Sequence, residues 1–387
     1  MAAKRSIFEE VGTAPPQATT PRESASATGM IDRANIGARG AIRVWLMLLF
    51  GLVFVMIAVG GLTRLTDSGL SITEWAPFAG AIPPLNAEDW AVAFDRYRAI
   101  PEYQLQNKGM SLSEFQFIYW WEWGHRQLGR VIGLVWAVGF FGLLLTRKIP
   151  TGWTGRLLLL GVLGGAQGAI GWWMVASGLS GDRLDVASYR LATHLGLAFV
   201  ILGVIAWFIF AMGRRERDLM QARRSREARL VQLGSVFVGL AFLQILLGAL
   251  VAGIDAGRTY GDWPLMAGGF FPPHALDLVP VWRNFFEDPG LVQFMHRMAG
   301  YVLFVFGLYV WIVARKSSHR LTRKAFGLVA LVLTAQLVLG VVTVMLGAPW
   351  HVAIAHQGLA VILWVLALRA RFMAHYPVAN SLREGMA

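Results

Sequence analysis

Four histidines occupy positions from which they could hold a metal group in pairs. The chain has eight histidines and no cysteine, which excludes thiolate ligands, disulfides and cysteine nucleophiles. His125 and His296 are each followed at once by Arg and four residues later by Gly, and His194 and His356 lie in the similar segments ATHLGLA and IAHQGLA. Imidazole is the commonest metal ligand among side chains. Two matching sets of imidazoles therefore predict metal-dependent chemistry.

Apolar helices must position these histidines. Of the 387 residues, 56% are hydrophobic and 15% are charged, whereas a soluble domain carries roughly 25% charged residues. A helix that spans a bilayer needs about 20 mostly apolar residues. Eight such runs are found at 44–63, 125–146, 157–178, 191–213, 230–253, 293–314, 325–347 and 350–368. The sequence therefore predicts an all-α membrane protein with eight transmembrane helices and excludes an ordinary soluble enzyme.

The positive charge follows a membrane topology rather than a nucleic-acid site. The net charge is +12, but Lys and Arg lie in short clusters, mostly in the two tails and in the loops after spans 2, 4 and 6. Such loops face the cytoplasm, so both termini are predicted there, with the long loops 64–124 and 254–292 outside. The expected partner is membrane lipid and no nucleic acid. Glu9, Glu10 and Glu23 make the N-terminal segment a poor transit peptide, which favours a bacterial inner membrane.

The two halves of the sequence resemble each other. EWGHRQLGRVIGL (122–134) aligns with QFMHRMAGYVLFV (293–305), AQGAIGWWMVASG (166–178) with AQLVLGVVTVMLG (335–347), and WAPFAG (75–80) with WPLMAG (263–268). A repeat with an even number of spans keeps its orientation in the membrane. We therefore expect two tandem, pseudo-symmetric four-helix bundles. The predicted segments are a disordered cytoplasmic tail 1–42, the halves 43–213 and 230–370, a basic cytoplasmic linker 214–229 and a cytoplasmic tail 371–387.

The four histidines share nearly one depth in this arrangement. Each lies within one or two turns of the outer end of an even-numbered span, and ionisable groups inside spans are costly and usually functional. Two imidazoles that face each other suit the two axial positions of a haem iron. We therefore expect one haem site from His125 with His194 and another from His296 with His356. A zinc or copper site of three or four histidines and a purely structural role are the alternatives.

A carboxylate distinguishes the two predicted sites. Glu122 precedes His125 by three residues, so both side chains lie on one helix face, with Glu122 one turn nearer the outside. The corresponding residue before His296 is Gln293, which cannot ionise. This asymmetry predicts acid–base or charge-stabilising work at the N-terminal site and electron transfer alone at the C-terminal site. A solvated Glu122 at the membrane surface is the alternative.

Four other positions are open in role, and four glycines lie beside the predicted ligands. Arg126 and Arg297 follow a histidine in both halves and could neutralise haem propionates or anchor the helix ends. His274 is expected to be a loop residue, and His351 lies five residues before His356, so it points about 140° away on a helix. Small residues beside the ligands would leave room for a porphyrin ring: Gly129, Gly196, Gly300 and Gly358.

These segments together resemble the haem A synthases, which are eight-helix membrane enzymes that serve cytochrome oxidase assembly. The resemblance covers about 44–370 and is to the proteobacterial and mitochondrial branch of that family. It is carried by GGLTRLTDSGLSITEW (60–75), EFQFIYWWEWGHRQLGR (114–130), FMHRMAGY (294–301) and the segments ATHLGLA and IAHQGLA.

The resemblance implies a reaction and a role for each site residue. The reaction is oxidation of the C8 methyl group of haem O to a formyl group, through a hydroxymethyl intermediate, which makes haem A for cytochrome c oxidase. His296 and His356 would hold haem b, His125 and His194 would bind haem O or haem A, and Glu122 would be catalytic. Haem O synthase, cytochrome c oxidase assembly factors and a second copy of the chain are candidate partners. Some bacterial members carry a cysteine pair in the outer loops, and this chain has none.

Two other functional classes stay open at this point. A di-haem b-type quinol oxidoreductase would share the bis-histidine ligation, but its haems usually stack at two depths across the bilayer. A non-enzymatic haem carrier or exporter is the other class. Carriage alone gives no reason for a carboxylate at one histidine pair and not at the other. The identity of the extracted haems separates the three classes.

Overall fold

Eight long helices make up most of the molecule. The computed structural model describes residues 30–181 and 183–378, and for residues 30–37 it describes the helix alone. Eight helices in this part of the chain are long and apolar enough to cross a membrane, which confirms the predicted number and the predicted all-α class. They are α1 (Met30–Leu65), α2 (Leu112–Leu145), α3 (Thr154–Val175), α4 (Ser188–Met212), α5 (Ala228–Gly253), α6 (Pro289–Ala314), α7 (Arg320–Met345) and α8 (Trp350–His375).

Shorter elements occupy the connections. They are the helices Ala87–Arg98, Pro101–Leu105, Glu216–Arg224 and Asn284–Glu287 and the single 3₁₀ turns Ala79–Ala81, Ala256–Arg258 and Val281–Arg283. Within the described residues the only β-type pairing is an isolated bridge between Met266 and Gly269. Residues 1–29 and 379–387, which belong to the two predicted tails, lie outside the described residues. Helix α1 begins at Met30, inside the segment that the sequence assigns to the N-terminal tail.

Helix α2 begins well before the apolar run that predicts it. Its first residue is Leu112 rather than 125, and a capping box fixes that start: Ser111 Oγ accepts from Glu114 N, and Glu114 Oε2 accepts from Ser111 N at 2.8 Å. The added turns carry Phe115 and Tyr119, which pack with the helix Ala87–Arg98 in a buried aromatic cluster. The first long connection is therefore a packed layer over one end of the bundle.

Each half is a closed ring of four helices. In the first half α1 packs on α2, α2 on α3, α3 on α4 and α4 back on α1; in the second half α5 to α8 follow the same order. The second and fourth helices of each ring are therefore diagonal neighbours across its centre. The tandem pseudo-symmetry itself stays a prediction of the sequence.

The two rings share one hydrophobic core. Helix α4 packs against α5 and α8, and α1 packs against α8. Buried side chains from both halves form one cluster that includes Leu202 and Trp364. Side-chain donors cross the boundary within this core: Trp364 Nε1 donates to the carbonyl of Phe199 at 2.9 Å, and Gln357 Nε2 donates to the carbonyl of Ile57 at 2.7 Å. We call the end of the bundle that carries segments 66–111 and 254–288 the long-loop end.

Candidate functional site

The structure brings the four histidines together as two pairs. His125 on α2 and His194 on α4 lie within electrostatic reach of each other, and so do His296 on α6 and His356 on α8. His194, His296 and His356 lie about two turns from the long-loop ends of their helices. His125 lies about four turns from the start of α2 because that helix extends into the loop layer. The pairing is the one that the sequence predicts.

A glycine on the preceding helix lies behind every one of these imidazoles. A Cβ atom built on the glycine would meet the neighbouring imidazole at 3.2 Å for Gly60 against His125 and at 2.8 Å for Gly171 against His194. It would do so at 3.0 Å both for Gly248 against His296 and for Gly340 against His356. No larger residue fits at these positions without moving the ring. Each ring therefore rests on the backbone of the preceding helix.

A glutamine one turn before that glycine holds three of the four histidines. Gln167, Gln244 and Gln336 each donate from Nε2 to the main-chain carbonyl of the histidine, at 3.0, 3.0 and 3.1 Å. The same amide nitrogen lies at similar distances from both ring nitrogens, for example 3.1 and 3.3 Å at His296. It therefore lies against the ring rather than along the lone pair of either nitrogen. Both ring nitrogens keep their in-plane directions.

These surroundings fit a haem between the two rings of each pair. All four imidazoles are enclosed by protein yet keep part of their surface accessible, so there is room beside them. Each supplies a nitrogen lone pair, and haem iron takes one axial nitrogen from each face of the porphyrin. The Oε1 atoms of Gln167, Gln244 and Gln336 are buried without a partner. Three amide oxygens beside the rings can therefore still accept a hydrogen bond.

The glycines that the sequence singles out next to the ligands have other neighbours. Gly129 faces Met56 and Gly300 faces Gln244, which are side chains of the preceding helices. Gly196 faces Leu246 on α5 across the boundary between the halves, and only Gly358 borders open space. Three of the four therefore pack on side chains of a neighbouring helix. That small residues beside the ligands leave room for a porphyrin stays a prediction.

Glu122 is buried and bound on both oxygens. The side chain is 3% exposed, so the alternative of a solvated surface carboxylate is wrong. Oε2 accepts from Ser71 Oγ at 2.8 Å and from the backbone N–H of Ile72 at 2.7 Å, and Oε1 accepts from Arg126 Nε at 3.0 Å. A second contact, from Arg126 Nη2 to the same Oε1, completes an ion pair in which two N–H groups share one carboxylate oxygen. The first loop and α2 together hold this carboxylate one turn from His125.

The second half repeats the scaffold without the carboxylate. Gln293 Nε2 donates to the carbonyl of Tyr260 at 3.1 Å. Arg297 donates to the carbonyls of Tyr260, Asp262 and Leu265 at 2.9, 2.9 and 3.1 Å. This matches Arg126, which donates to the carbonyls of Ile72 and Glu74 at 2.7 and 3.0 Å. Both arginines therefore anchor loop backbone.

The remaining histidines lie apart from the two pairs. His274 is an exposed loop residue whose Nδ1 lies 2.9 Å from Asp277 Oδ2, and His351 is exposed beside Trp350. In the described part of the chain, no three or more His, Cys, Asp or Glu side chains are grouped to hold one metal ion. The zinc or copper alternative therefore finds no ligand set there.

Sequence reasoning missed the groups that hold the site residues. Ser71 and Ile72 lie in a loop without periodicity, and the aligned segments of the repeat do not include Gln244. A signal was present, since the spacing Gln-x-x-x-Gly recurs at 167–171, 244–248 and 336–340.

Comparison with known proteins gives consistent matches. The sequence model of a family described as "Cytochrome oxidase assembly protein" matches residues 43–368. A protein of Dinoroseobacter shibae named "Heme A synthase" is 72% identical over 388 residues, which cover all of both chains. Proteins of the same name from Ruegeria pomeroyi and Roseobacter denitrificans are 63% and 62% identical, each over 385 residues, 99% of this chain and 100% of the relative.

Proposed function

The chain belongs to the family of cytochrome oxidase assembly proteins, and on that basis we propose that it is a haem A synthase. The proposed reaction is oxidation of the C8 methyl group of haem O to a formyl group, through a hydroxymethyl intermediate. The observation that carries the proposal is a pair of imidazoles, His125 and His194, one helix turn from a buried and fully bound carboxylate, Glu122. The relatives named "Heme A synthase" at 62–72% identity support it.

The two pairs have different proposed tasks. His125 and His194 bind the substrate haem O, and His296 and His356 hold haem b, which supplies one-electron transfer when bound. The reason is the matched pair of positions before the first histidine of each half: Glu122 can accept a proton, whereas Gln293 cannot. Oxidation of a methyl group releases protons as well as electrons. Of the two pairs, the N-terminal one has a carboxylate beside it that can receive those protons.

The contacts of Glu122 define how it would act. Arg126 holds Oε1 in an ion pair, and the N–H of Ile72 holds Oε2, so the carboxylate cannot turn away from the pair. Ser71 is the one partner that can both donate and accept, because its hydroxyl rotates. We therefore assign Glu122 to stabilising positive charge at the reacting carbon or to taking a proton from the attacking water, with Ser71 as the contact that such a proton would pass.

The membrane arrangement gives the lipid-soluble substrate access. Eight apolar helices make the chain a multi-pass membrane protein. We propose the bacterial inner membrane, with both termini cytoplasmic and the long-loop end periplasmic. Haem O has an apolar side chain and would enter from the lipid. Haem O synthase, cytochrome c oxidase assembly factors and a second copy of the chain stay proposed partners.

Identification of the bound haems tests the proposal. The protein is purified in detergent from cells that make haem O, and its pigments are extracted and identified by mass. We expect haem b together with haem O or haem A, and we expect His125→Ala with His194→Ala to remove the second kind only. Haem b alone, at both pairs, would overturn the proposal and would favour a quinol oxidoreductase or a haem carrier.

A further inference from the structure

One of the four histidines lacks the glutamine that holds the other three. On α3, α5 and α7 a glutamine stands four residues before the glycine that supports the imidazole. On α1 the supporting glycine is Gly60, and the residue four positions before it is Met56. A thioether donates no hydrogen bond. Met56 therefore cannot bond to the carbonyl of His125 as the glutamines bond to theirs.

A second contact places Met56 at the glutamine position. Gly129 and Gly300 each lie four residues after the first histidine of their half. A Cβ on Gly300 would lie 3.2 Å from Gln244 Nε2, and a Cβ on Gly129 would lie 3.5 Å from Met56 Cε. The methionine side chain thus occupies the space that the amide occupies in the second half. The difference is one of chemistry at the same place.

The consequence for His125 follows from its hydrogen bonds. Among the described residues, no side chain donates to the main-chain carbonyl of His125 or lies within hydrogen-bond distance of its ring nitrogens. At His194, His296 and His356 a glutamine amide donates to the carbonyl and lies against the ring. The ring of His125 shares the contact with a supporting glycine, Gly60, and lacks the contact with an amide. It can therefore reorient at lower cost than the other three.

We propose that Gln167, Gln244 and Gln336 are positioning residues that would fix three of the haem-binding imidazoles, and that Met56 leaves the imidazole of His125 free to turn away from a bound haem. His125 would then be the histidine that yields when substrate enters the N-terminal pair and product leaves it. The C-terminal pair has a glutamine on both histidines, which suits a haem that stays. This inference rests on the proposed function, because it assigns the exchangeable haem to the pair that contains His125.

Met56→Gln supplies the missing amide, and Met56→Leu is the matched control that removes the sulfur without adding a donor. Each protein is purified with its haems in detergent and mixed with excess apomyoglobin, and the haems that remain bound are extracted and identified over time. In the unaltered protein we expect haem O or haem A to leave faster than haem b. Met56→Gln should slow that departure by about two- to tenfold, the range of one ordinary hydrogen bond. Met56→Leu should leave the rate unchanged.

A reverse exchange keeps the proposal testable if Met56→Gln does not fold. Gln336→Met removes the amide from His356, and we expect haem b to leave about two- to tenfold faster, with departure of the other haem unchanged. The low-spin electron paramagnetic resonance signal of the affected haem should broaden, since an unfixed imidazole plane gives a spread of orientations. Equal rates in all variants would overturn the role of Met56. The absence of any second kind of haem would instead overturn the proposed function.

Discussion

Two single-residue differences distinguish the histidine sites of the two halves. Glu122 corresponds to Gln293 and Met56 corresponds to Gln244, whereas the histidine, the arginine after it and the supporting glycine are the same in both halves. Both differences lie beside His125. One adds an ionisable group to the first pair, and the other removes a donor from it. The first pair therefore has one ionisable group more and one hydrogen-bond donor fewer beside it than the second.

Glu122→Gln tests the carboxylate directly. The amide keeps the size of the side chain but cannot take a proton, and we expect haem to stay bound while formation of haem A falls by about 100-fold or more. Haem O or a hydroxylated product should accumulate, as measured by mass analysis of extracted haems. Glu114→Gln is the control, since Glu114 is an exposed carboxylate on the same helix. Normal haem A formation in Glu122→Gln would remove Glu122 from the reaction.

Much of the site could be predicted from residue spacing, and its supports could not. The histidine pairs follow from apolar runs of known direction together with the internal repeat, and Glu122 follows from a three-residue offset on a helix. Ser71 and Ile72 reach Glu122 through a loop whose path no periodicity describes. The burial of Glu122 depends on that loop as well. The sequence alone therefore could not exclude a solvated carboxylate at this position.

At the scale of elements, tryptophan against glycine is the recurring helix contact. Trp45 on α1 donates to the carbonyl of Val135 at 3.0 Å and lies on Gly139 of α2. Trp136 on α2 donates to the carbonyl of Leu157 at 3.1 Å and lies on Gly161 of α3. Helices in membranes associate through such small residues. The packing of the first ring therefore depends on glycine at Gly139 and Gly161, where a side chain would overlap a tryptophan.

Gly161→Ala should destabilise the protein, and Gly164→Ala should not. An added Cβ at Gly161 would overlap the ring of Trp136, whereas nothing lies within 4 Å of one at Gly164 on the same helix. We expect Gly161→Ala to lower the free energy of unfolding by about 1–3 kcal/mol. Gly164→Ala should raise it by up to about 1 kcal/mol through helix propensity. Thermal unfolding in detergent measures both, and equal behaviour of the two would contradict the contact.

The layer at the long-loop end contains a carboxyl group that titrates near neutral pH. Glu102 is 4% exposed, and burial, followed by the charges of Asp185, Glu122 and Asp67, raises the pKa of Glu102 from 4.5 to about 8. A raised pKa means that the fold favours the protonated form. Its contribution to stability is present in full below pH 4.5 and is lost as the pH rises through about 8.

Stability should therefore fall between pH 5 and pH 8.5 and fall less in Glu102→Gln. The amide mimics the neutral carboxyl group and does not ionise. Thermal unfolding at a series of pH values (about pH 5 to about 8.5) measures the difference. Glu88→Gln, at an exposed position of the same layer, is the control and should follow the unaltered protein. A parallel pH dependence of Glu102→Gln and the unaltered protein would contradict this role.

Element boundaries show where apolar length fails as a guide. The eight spans follow from composition alone, because a bilayer demands about 20 apolar residues for each. The start of α2 does not, since its first turns carry Glu114 and Glu122 and pack on a loop layer instead of lipid. The capping box at Ser111 and Glu114 is the local signal that marks this start.

At the scale of the whole molecule, a charged cluster joins the two rings at the long-loop end. Arg64, at the end of α1, pairs with Asp255 after α5 at 2.8 Å and with Asp67 at 2.7 Å, and lies 3.4 Å from Asp185. Its Nε donates to the carbonyl of Ala252 at 3.0 Å. The guanidinium is largely buried while the carboxylates are half-exposed. One guanidinium group thus lies among three carboxylates that come from both halves of the chain.

Arg64→Gln should weaken the union of the two rings. It leaves the three carboxylates facing one another, and we expect a loss of about 1–3 kcal/mol in the free energy of unfolding. Arg96→Gln is the matched control, because Arg96 pairs with Glu74 where both side chains are exposed, and such pairs contribute about 0–1 kcal/mol. Thermal unfolding in detergent compares them. Equal losses would show that the cluster does not join the halves.

The arginines that follow the first histidine of each half bind main-chain oxygens of the covering segments: Arg126 those of Ile72 and Glu74, and Arg297 those of Tyr260, Asp262 and Leu265. Every residue type has a main-chain carbonyl oxygen. These hydrogen bonds therefore do not depend on which side chains the covering segments carry. A covering segment held in this way can accumulate substitutions over one histidine pair and stay attached to the helix beneath it. The residues at the two pairs can then diverge while both covering segments keep their positions.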